Sequence, residues 1–466
     1  MVFSSAVFLC LFLPAVTVLY LMLPRGFRNG FLFAASLLFY AWGEPLYLFL
    51  MLFSIAFNYG CGLLLERPGR SEGGRRAVLI AAVAVNIGLL GLFKYTDFAL
   101  DSLNRLTGSA IPLLKLALPV GISFYTFQAL SYTVDVYRRR VKAQRNFLDF
   151  GMYVSLFPQL IAGPIVRYTE IESQLKRRSL SPEQMALGLI RFTAGLCKKV
   201  LLANQIGVLW DRISASAQTA PALTAWLGAL AFTFQIYFDF SGYSDMAIGL
   251  GKLFGFAFPE NFRYPYRAVS VTDFWRRWHI TLSAWFREYV YIPLGGNRRG
   301  RGRQILNLFL VWLLTGLWHG AGVNFILWGL YFFVFLAAEK LFLGRLLQKL
   351  PRAVGWFCTM AVVVCSWVIF ACDSPALLGS YAAALFGANG LADAQTLYLL
   401  RSFGALLVLC AAAASGLPLR LWRAVCARIP KNAGEATELV ASLGALAASF
   451  VFLISGTYNP FLYFRF

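Results

Sequence analysis

The chain has 466 residues, 59% of them hydrophobic and 16% aromatic, and carries a formal net charge of +21. A soluble domain of this length has no interior large enough for so much apolar surface, so the solvent this composition suits is lipid. Nor does the charge point to nucleic acid. The basic residues form short clusters between apolar runs, such as Arg67, Arg70, Arg75 and Arg76, "RRRVKAQR" at 138–145, "KRR" at 176–178 and "RRGRGR" at 298–303. That is the distribution of cytoplasmic loops, and it suits anionic lipid or a phosphate-bearing donor as partner.

The first helix candidates are 3–23, 31–43, 45–65 and 77–95. Runs such as "MVFSSAVFLCLFLPAVTVLYLML" approach the roughly 20 apolar residues that span hydrocarbon as helix. This first run has no charged n-region and no small-residue cleavage site, so it reads as a span and not as a cleaved leader. Dyad alternation is absent, which excludes a barrel and leaves an all-α polytopic bundle.

The next two candidates, 112–134 and 147–165, are irregular: Pro119 and Gly121 precede polar Ser123, Thr126 and Gln128, and Pro158, Gly163 and Pro164 interrupt "LFPQLIAGPIVRY". Non-helical backbone at membrane depth is tolerated only inside protein or along a cavity, so both segments are expected to border an internal chamber. Candidates 186–204, 223–240 and 243–256 follow, and the last two carry Asp239 and Asp245. Carboxylates in an apolar segment need partners: an imidazole to orient, or an arginine. Pairing with Arg263, Arg267 or Arg276 is the expectation for Asp245. Gly242, Gly249, Gly251 and Gly255 would permit close helix approach.

In "VTDFWRRWHITLSAWFREYVYIPLGGNRRGRGR", Phe274, Trp275, Trp278, Leu282, Trp285, Phe286 and Tyr289 recur at helical spacing. Thr272 or Asp273 is placed to cap the start. Arg276, Arg277, Arg287 and Glu288 rule out a lipid-buried span, so an amphipathic interfacial helix is predicted. Anchoring explains its aromatics but not His279, whose i−4 neighbour is Trp275.

His319 is the only other histidine, in "LLTGLWHGAGVNFILWG", and no charged residue lies between Arg303 and Glu339. Helix candidates 305–318 and 321–338, joined end to end, would run about 51 Å, too long for one crossing of about 30 Å. The chain must break, at Gly316, Gly320 and Gly322. Both flanks are basic, which predicts a hairpin with His319 near its inner turn. A neutral imidazole there accepts a proton from a hydroxyl and returns it to a leaving group; a core histidine bonded to backbone is the plain alternative. Two isolated histidines supply no metal ligand set.

Candidates 353–371, 396–415 and 437–456 close the chain. Cys358, Cys365 and Cys372 lie two turns apart, too far for a disulfide or a shared metal, and are expected to serve packing. Together the candidates suggest about eleven to thirteen crossings with re-entrant and interfacial helices besides, in one integral-membrane domain spanning 1–466.

"FQIYFDFSGYSDMAIGLGKLFGFAFPENFRYPY", "SVTDFWRRWHITLSAWFREYVYIPLGGNRRG", "LLTGLWHGAGVNFILWG", "PVGISFYTFQALSYTVDVYR", "FPQLIAGPIVRY" and the terminal "NPFLYFRF" resemble the membrane-bound O-acyltransferase family, most closely its bacterial alginate O-acetylase branch. The teichoic-acid D-alanyl transferase and the peptidoglycan O-acetyltransferase are relatives with similar patterns. The resemblance implies a bundle around a central tunnel in the bacterial inner membrane, with a catalytic core at about 112–340. It maps the family's catalytic histidine onto His319 and a second motif histidine onto His279. It implies an acyl thioester donor, acetyl-CoA or another, taken from the cytoplasm, and a hydroxyl acceptor or relay transferase on the outer side, for acylation of an extracellular polysaccharide. Asp239, Asp245, Trp318, Trp275 and Asn324 are then candidates to orient the imidazole or line the tunnel. Arg276, Arg277, Arg298 and Arg299 are candidates for donor phosphates. The same fold acylating peptidoglycan or teichoic acid, and a proton-coupled transporter or flippase built on the buried His and Asp residues, are the alternatives.

Overall fold

The computed structural model describes residues 1–455 and 461–462, apart from the side chains of Lys431 and Asn432. Of the terminal "NPFLYFRF" motif only Phe461 and Leu462 fall within that range. The described residues contain helices and no strand. Among the described residues, six helices are long and apolar enough to cross a membrane: Tyr47–Glu66, Glu72–Thr107, Val323–Leu347, Arg352–Ala371, Ala394–Ser415 and Ala433–Ser455. The larger number of crossings expected from the sequence also counted short or interrupted helices, such as Phe8–Met22.

The chain forms two compact units, Met1–Phe192 with Ser244–Pro259, and Thr193–Tyr243 with Glu260–Phe466. In the first, Glu72–Thr107 starts where Ser71 Oγ accepts the Gly74 N–H and stops at Gly108, whose φ of 70° is left-handed. Leaving the helix this way suits a residue without Cβ. Buried amides tie this helix to its neighbours. Asn58 and Asn86 exchange side-chain hydrogen bonds of 3.1 and 2.9 Å, and Thr133 Oγ1 donates to Asn58 Oδ1 at 3.1 Å. In a segment surrounded by lipid such bonds hold helices together where apolar contact alone cannot discriminate.

The two irregular segments of this unit pack on each other. Gly121 has a φ of 77°, and a Cβ there would meet the Leu160 carbonyl oxygen at 2.7 Å. The helix therefore begins only at Ile122, running to Tyr137, while the second segment splits into Phe147–Ser155 and Phe157–Leu160. Gln128, on the first of these helices, is fully buried, and its backbone oxygen accepts the Tyr153 hydroxyl at 3.3 Å.

Helix Ala222–Leu253 runs unbroken through Gly242, where the sequence suggested two helices. Gly242 is spent on contact instead: a Cβ there would meet the Gly195 carbonyl oxygen at 2.7 Å. The second unit also holds the predicted hairpin, Gly300–His319 and Val323–Ala338, broken at residues 320–322. Its arms touch backbone to backbone, since a Cβ on Gly316 would lie 2.4 Å from the Phe325 oxygen and 3.4 Å from Gly329 Cα. Asn324 secures the break by donating to the Phe370 oxygen at 2.9 Å, which fastens it to helix Arg352–Ala371.

The aromatic segment before the hairpin is not one interfacial helix. It consists of Val271–Trp275, a bend, and Ile280–Phe286, with His279 at φ 42° and ψ 55° between them. Phe274, Trp275, Trp278, Leu282, Trp285 and Phe286 are all buried in protein. Helical spacing was read correctly over each half, but tertiary packing, not lipid, takes up the apolar face. The cap differs as well: Ser270 Oγ accepts the Asp273 N–H, and Glu339 accepts from Val271 N, Thr272 N and Thr272 Oγ1 at 2.6, 2.9 and 2.6 Å.

Candidate active site

His319 is the last residue of its helix arm and only 5% exposed. Its ring lies edge-on to Trp318, Trp328 and Phe370, with centroids at 4.9, 4.9 and 5.5 Å. The Gly320 break makes this possible, because a Cβ at 320 would sit 2.1 Å from the Phe325 ring. Large rings with little rotamer freedom fix the imidazole by packing on several sides. One side is open. His319 borders a cavity of about 30 Å3 together with Ile236, Asp239, Phe240, Trp278, Trp367, Phe370 and Leu462.

Asp239 brings charge to this wall. It forms a buried ion pair with Lys199, the two side chains being 5% and 2% exposed. Its second oxygen accepts the Leu462 N–H at 2.7 Å, and Lys199 lies 4.8 Å over the Phe461 ring. The carboxylate is therefore paired with a lysine and hydrogen-bonded by a backbone amide, and Leu462 supplies part of the cavity lining.

His279 is completely buried and does not line the cavity. Its ring packs at 4.7 Å against Phe240, which does, and at 5.8 Å against Trp318. Nδ1 is 3.1 Å from Asn261 Oδ1. His279 lies outside the six apolar spans, and burial pushes its pKa down to about 3, which leaves the ring neutral.

Residues 104–382 match the membrane-bound O-acyltransferase family. The chain belongs to that family. It is 45% identical over 378 residues to the "Probable alginate O-acetylase" of Pseudomonas aeruginosa, covering 80% of this chain and 72% of that protein. It is 38% identical to the "Peptidoglycan O-acetyltransferase" of Helicobacter pylori over 79% of this chain and 77% of that protein. The "Teichoic acid D-alanyltransferase" of Bacillus subtilis is 27% identical over 53% and 65%. The protein is thus an O-acyltransferase, and with its six apolar spans a multi-pass protein of the bacterial inner membrane.

Within this acyltransferase fold, the sequence-predicted residues separate. His319 and Asp239 share the cavity, and Trp318 packs on both histidine rings. Trp275 packs instead on Trp312, Trp328 and Phe332, and Asn324 serves the hairpin break. Asp245 belongs to the first unit and is paired there with Arg191, at 2.5 Å, in place of Arg263, Arg267 or Arg276. Arg277 is held by Asp273 at 2.8 Å, whereas Arg276, Arg298 and Arg299 are exposed. A larger cleft of about 450 Å3, lined by Ser270, Thr272, Glu339, Lys340 and Arg352 among others, contains neither histidine and none of these four arginines. Lys199 was missed, although a lysine inside the apolar run "GLCKKVLLA" is a signal of the same kind as Asp239. Asn261, Trp367 and Phe370 carried no local signal.

Proposed function

We propose that this protein moves an acetyl group from a cytoplasmic thioester, such as acetyl-CoA, to a hydroxyl of an outer acceptor or relay transferase, for O-acetylation of an extracellular polysaccharide such as alginate. The observation that carries this reading is a single imidazole, caged by aromatic rings, bordering a small cavity. Neutral His319 takes the hydroxyl proton as the oxygen attacks the thioester carbonyl. The C–O bond forms, the C–S bond breaks, and the imidazolium returns its proton to the leaving sulfur. The cavity beside the imidazole is small, about 30 Å3, which supports a small acyl group such as acetyl. Exposed Arg276, Arg298 and Arg299 are the side chains available for donor phosphates; Arg277 is already engaged by Asp273. The relatives named for polysaccharide and peptidoglycan O-acetylation support an O-acetyl product over D-alanyl transfer, since the latter kind of relative covers less of the chain.

The test uses purified full-length protein, radiolabelled acetyl-CoA and a hydroxyl acceptor. His319→Ala is expected to lower turnover by about 10²- to 10⁴-fold, the usual worth of general acid–base catalysis, while still purifying as a folded species. Replacing Arg276 and Arg298 by Gln should raise the donor KM and leave kcat in place. A folded His319→Ala protein with unchanged turnover overturns the proposal.

A further inference from the structure

Fully buried Asn261 precedes a run of aromatics in "PENFRYPY" and has no part in the scheme above. Its side-chain oxygen receives the Thr281 N–H at 3.3 Å and the Thr281 hydroxyl at 2.9 Å, and stands 3.1 Å from His279 Nδ1. Its backbone oxygen accepts the Ile280 N–H at 3.0 Å, and Arg263 N donates to the Arg277 oxygen at 2.9 Å. The two strands of chain are thus clasped on both sides of the histidine. This clasp also accounts for the left-handed backbone of His279, a conformation few non-glycine residues adopt without support.

The orientation of the amide follows from chemistry. A backbone N–H can only donate, so the atom of Asn261 facing Thr281 N must be the oxygen and not the NH2 group. That same oxygen faces His279 Nδ1. An oxygen acceptor opposite a ring nitrogen requires the proton on the nitrogen, so Nδ1 carries it. A neutral imidazole has one ring proton, and Nε2 is left bare. Nε2 is buried and has no hydrogen-bond partner among the described residues. A buried acceptor left open in this way is costly unless a donor arrives.

We propose that Asn261 is a positioning residue of the acyl-transfer site: it holds His279 in the Nδ1–H tautomer, and the buried Nε2 is thereby kept as an acceptor for the O–H of a bound water. The ring stands behind Phe240, which lines the His319 cavity, and beside Trp318, which packs on His319. This rests on the His319 reading for its link to turnover, but the tautomer itself does not.

The chain has only two histidines, which makes the experiment direct. Full-length protein with 15N-labelled histidine gives two imidazole signal sets, and His319→Gln leaves only that of His279. In wild type, the coupling pattern of the ring nitrogens to their carbon-bound protons should show Nδ1 protonated and Nε2 bare from about pH 5 to 8, the range in which a free imidazole titrates. Asn261→Leu removes the acceptor and should let the proton move to Nε2, with kcat falling on the order of 10²-fold at unchanged donor KM. Asn261→Asp keeps an acceptor oxygen and should keep the Nδ1–H signal. Finding wild-type His279 protonated at Nε2, or charged, overturns the inference even if neither variant folds. So does an Asn261→Leu protein that keeps the wild-type tautomer, or one that changes tautomer without losing turnover. A His319→Ala enzyme that remained active would refute the proposed function and leave the tautomer result standing.

Discussion

The Asp239–Lys199 pair offers a stability test whose size follows from burial. The side chains are 5% and 2% exposed, so neither charge has water to fall back on once its partner is gone. Removing one member of a buried pair costs about 3–5 kcal/mol, whereas removing both charges together is close to neutral. Lys199→Met leaves a buried carboxylate; Asp239→Asn leaves a buried ammonium but keeps an oxygen for the Leu462 N–H. Each single variant should therefore lose about 3–5 kcal/mol. At roughly 2 °C per kcal/mol, the low end suited to a large chain, that is a drop in Tm of about 6–10 °C. The double variant should recover to within about 1 kcal/mol of wild type. Thermal unfolding in detergent, followed by tryptophan fluorescence, reads all four proteins, and the double-mutant cycle extracts the coupling. If both single variants cost no more than a surface ion pair, about 1 kcal/mol or less, and their effects simply add, the pair is solvated. Asp239 would then be available to orient an imidazole.

Two further substitutions probe the frame around the site. Gly316→Ala places a Cβ 2.4 Å from the Phe325 oxygen, so the hairpin arms must part at a cost of about 1–3 kcal/mol. Gly404→Ala, in a helix with nothing within 4 Å, should gain about 0.5–1 kcal/mol; equal Tm shifts would show that the arms do not meet at Gly316. For His279 the folded pKa of about 3 lies below the ordinary value of 6.5. The unfolded chain therefore binds the extra proton first on acidification. Stability is complete above about pH 6.5, declines as pH falls, and by about pH 3 has lost up to about 5 kcal/mol from this group. His279→Gln should remove that component of the acid loss, and identical pH–Tm profiles for the two proteins would contradict it.

The place of His319 at the hairpin break was legible because the signal was local: one imidazole in a long charge-free stretch, beside glycines where the chain had to turn. The hairpin was legible for the same reason, since helix length and bilayer thickness leave no alternative to a break. Partners across the fold were not. The sequence said that Asp239 and Asp245 need counter-charges, but the choice of Lys199 and Arg191 over three other arginines depends on which helices lie side by side. Periodicity misled in one instructive place. The aromatics from Phe274 to Tyr289 keep helical spacing across His279, so nothing in the pattern announces a left-handed residue in its middle.

That missed break bears on how the site is assembled. A continuous helix would place His279 on the same rigid element as Trp275, its orientation set by local packing. The bend instead hands the ring to Asn261, on a separate stretch of chain, and releases Trp275 to pack with Trp312 and Trp328. His319 is treated in a different way: aromatic rings pack around it, and its cavity wall carries the Asp239–Lys199 ion pair. One histidine is fixed by a hydrogen bond that selects a tautomer, the other by packing that leaves a face open. Under the proposed function, His319 accepts and returns a proton at the face that borders the cavity. Substitutions at Asn261 and at Trp328 should therefore separate, the first changing the protonation pattern of one imidazole and the second loosening the position of the other.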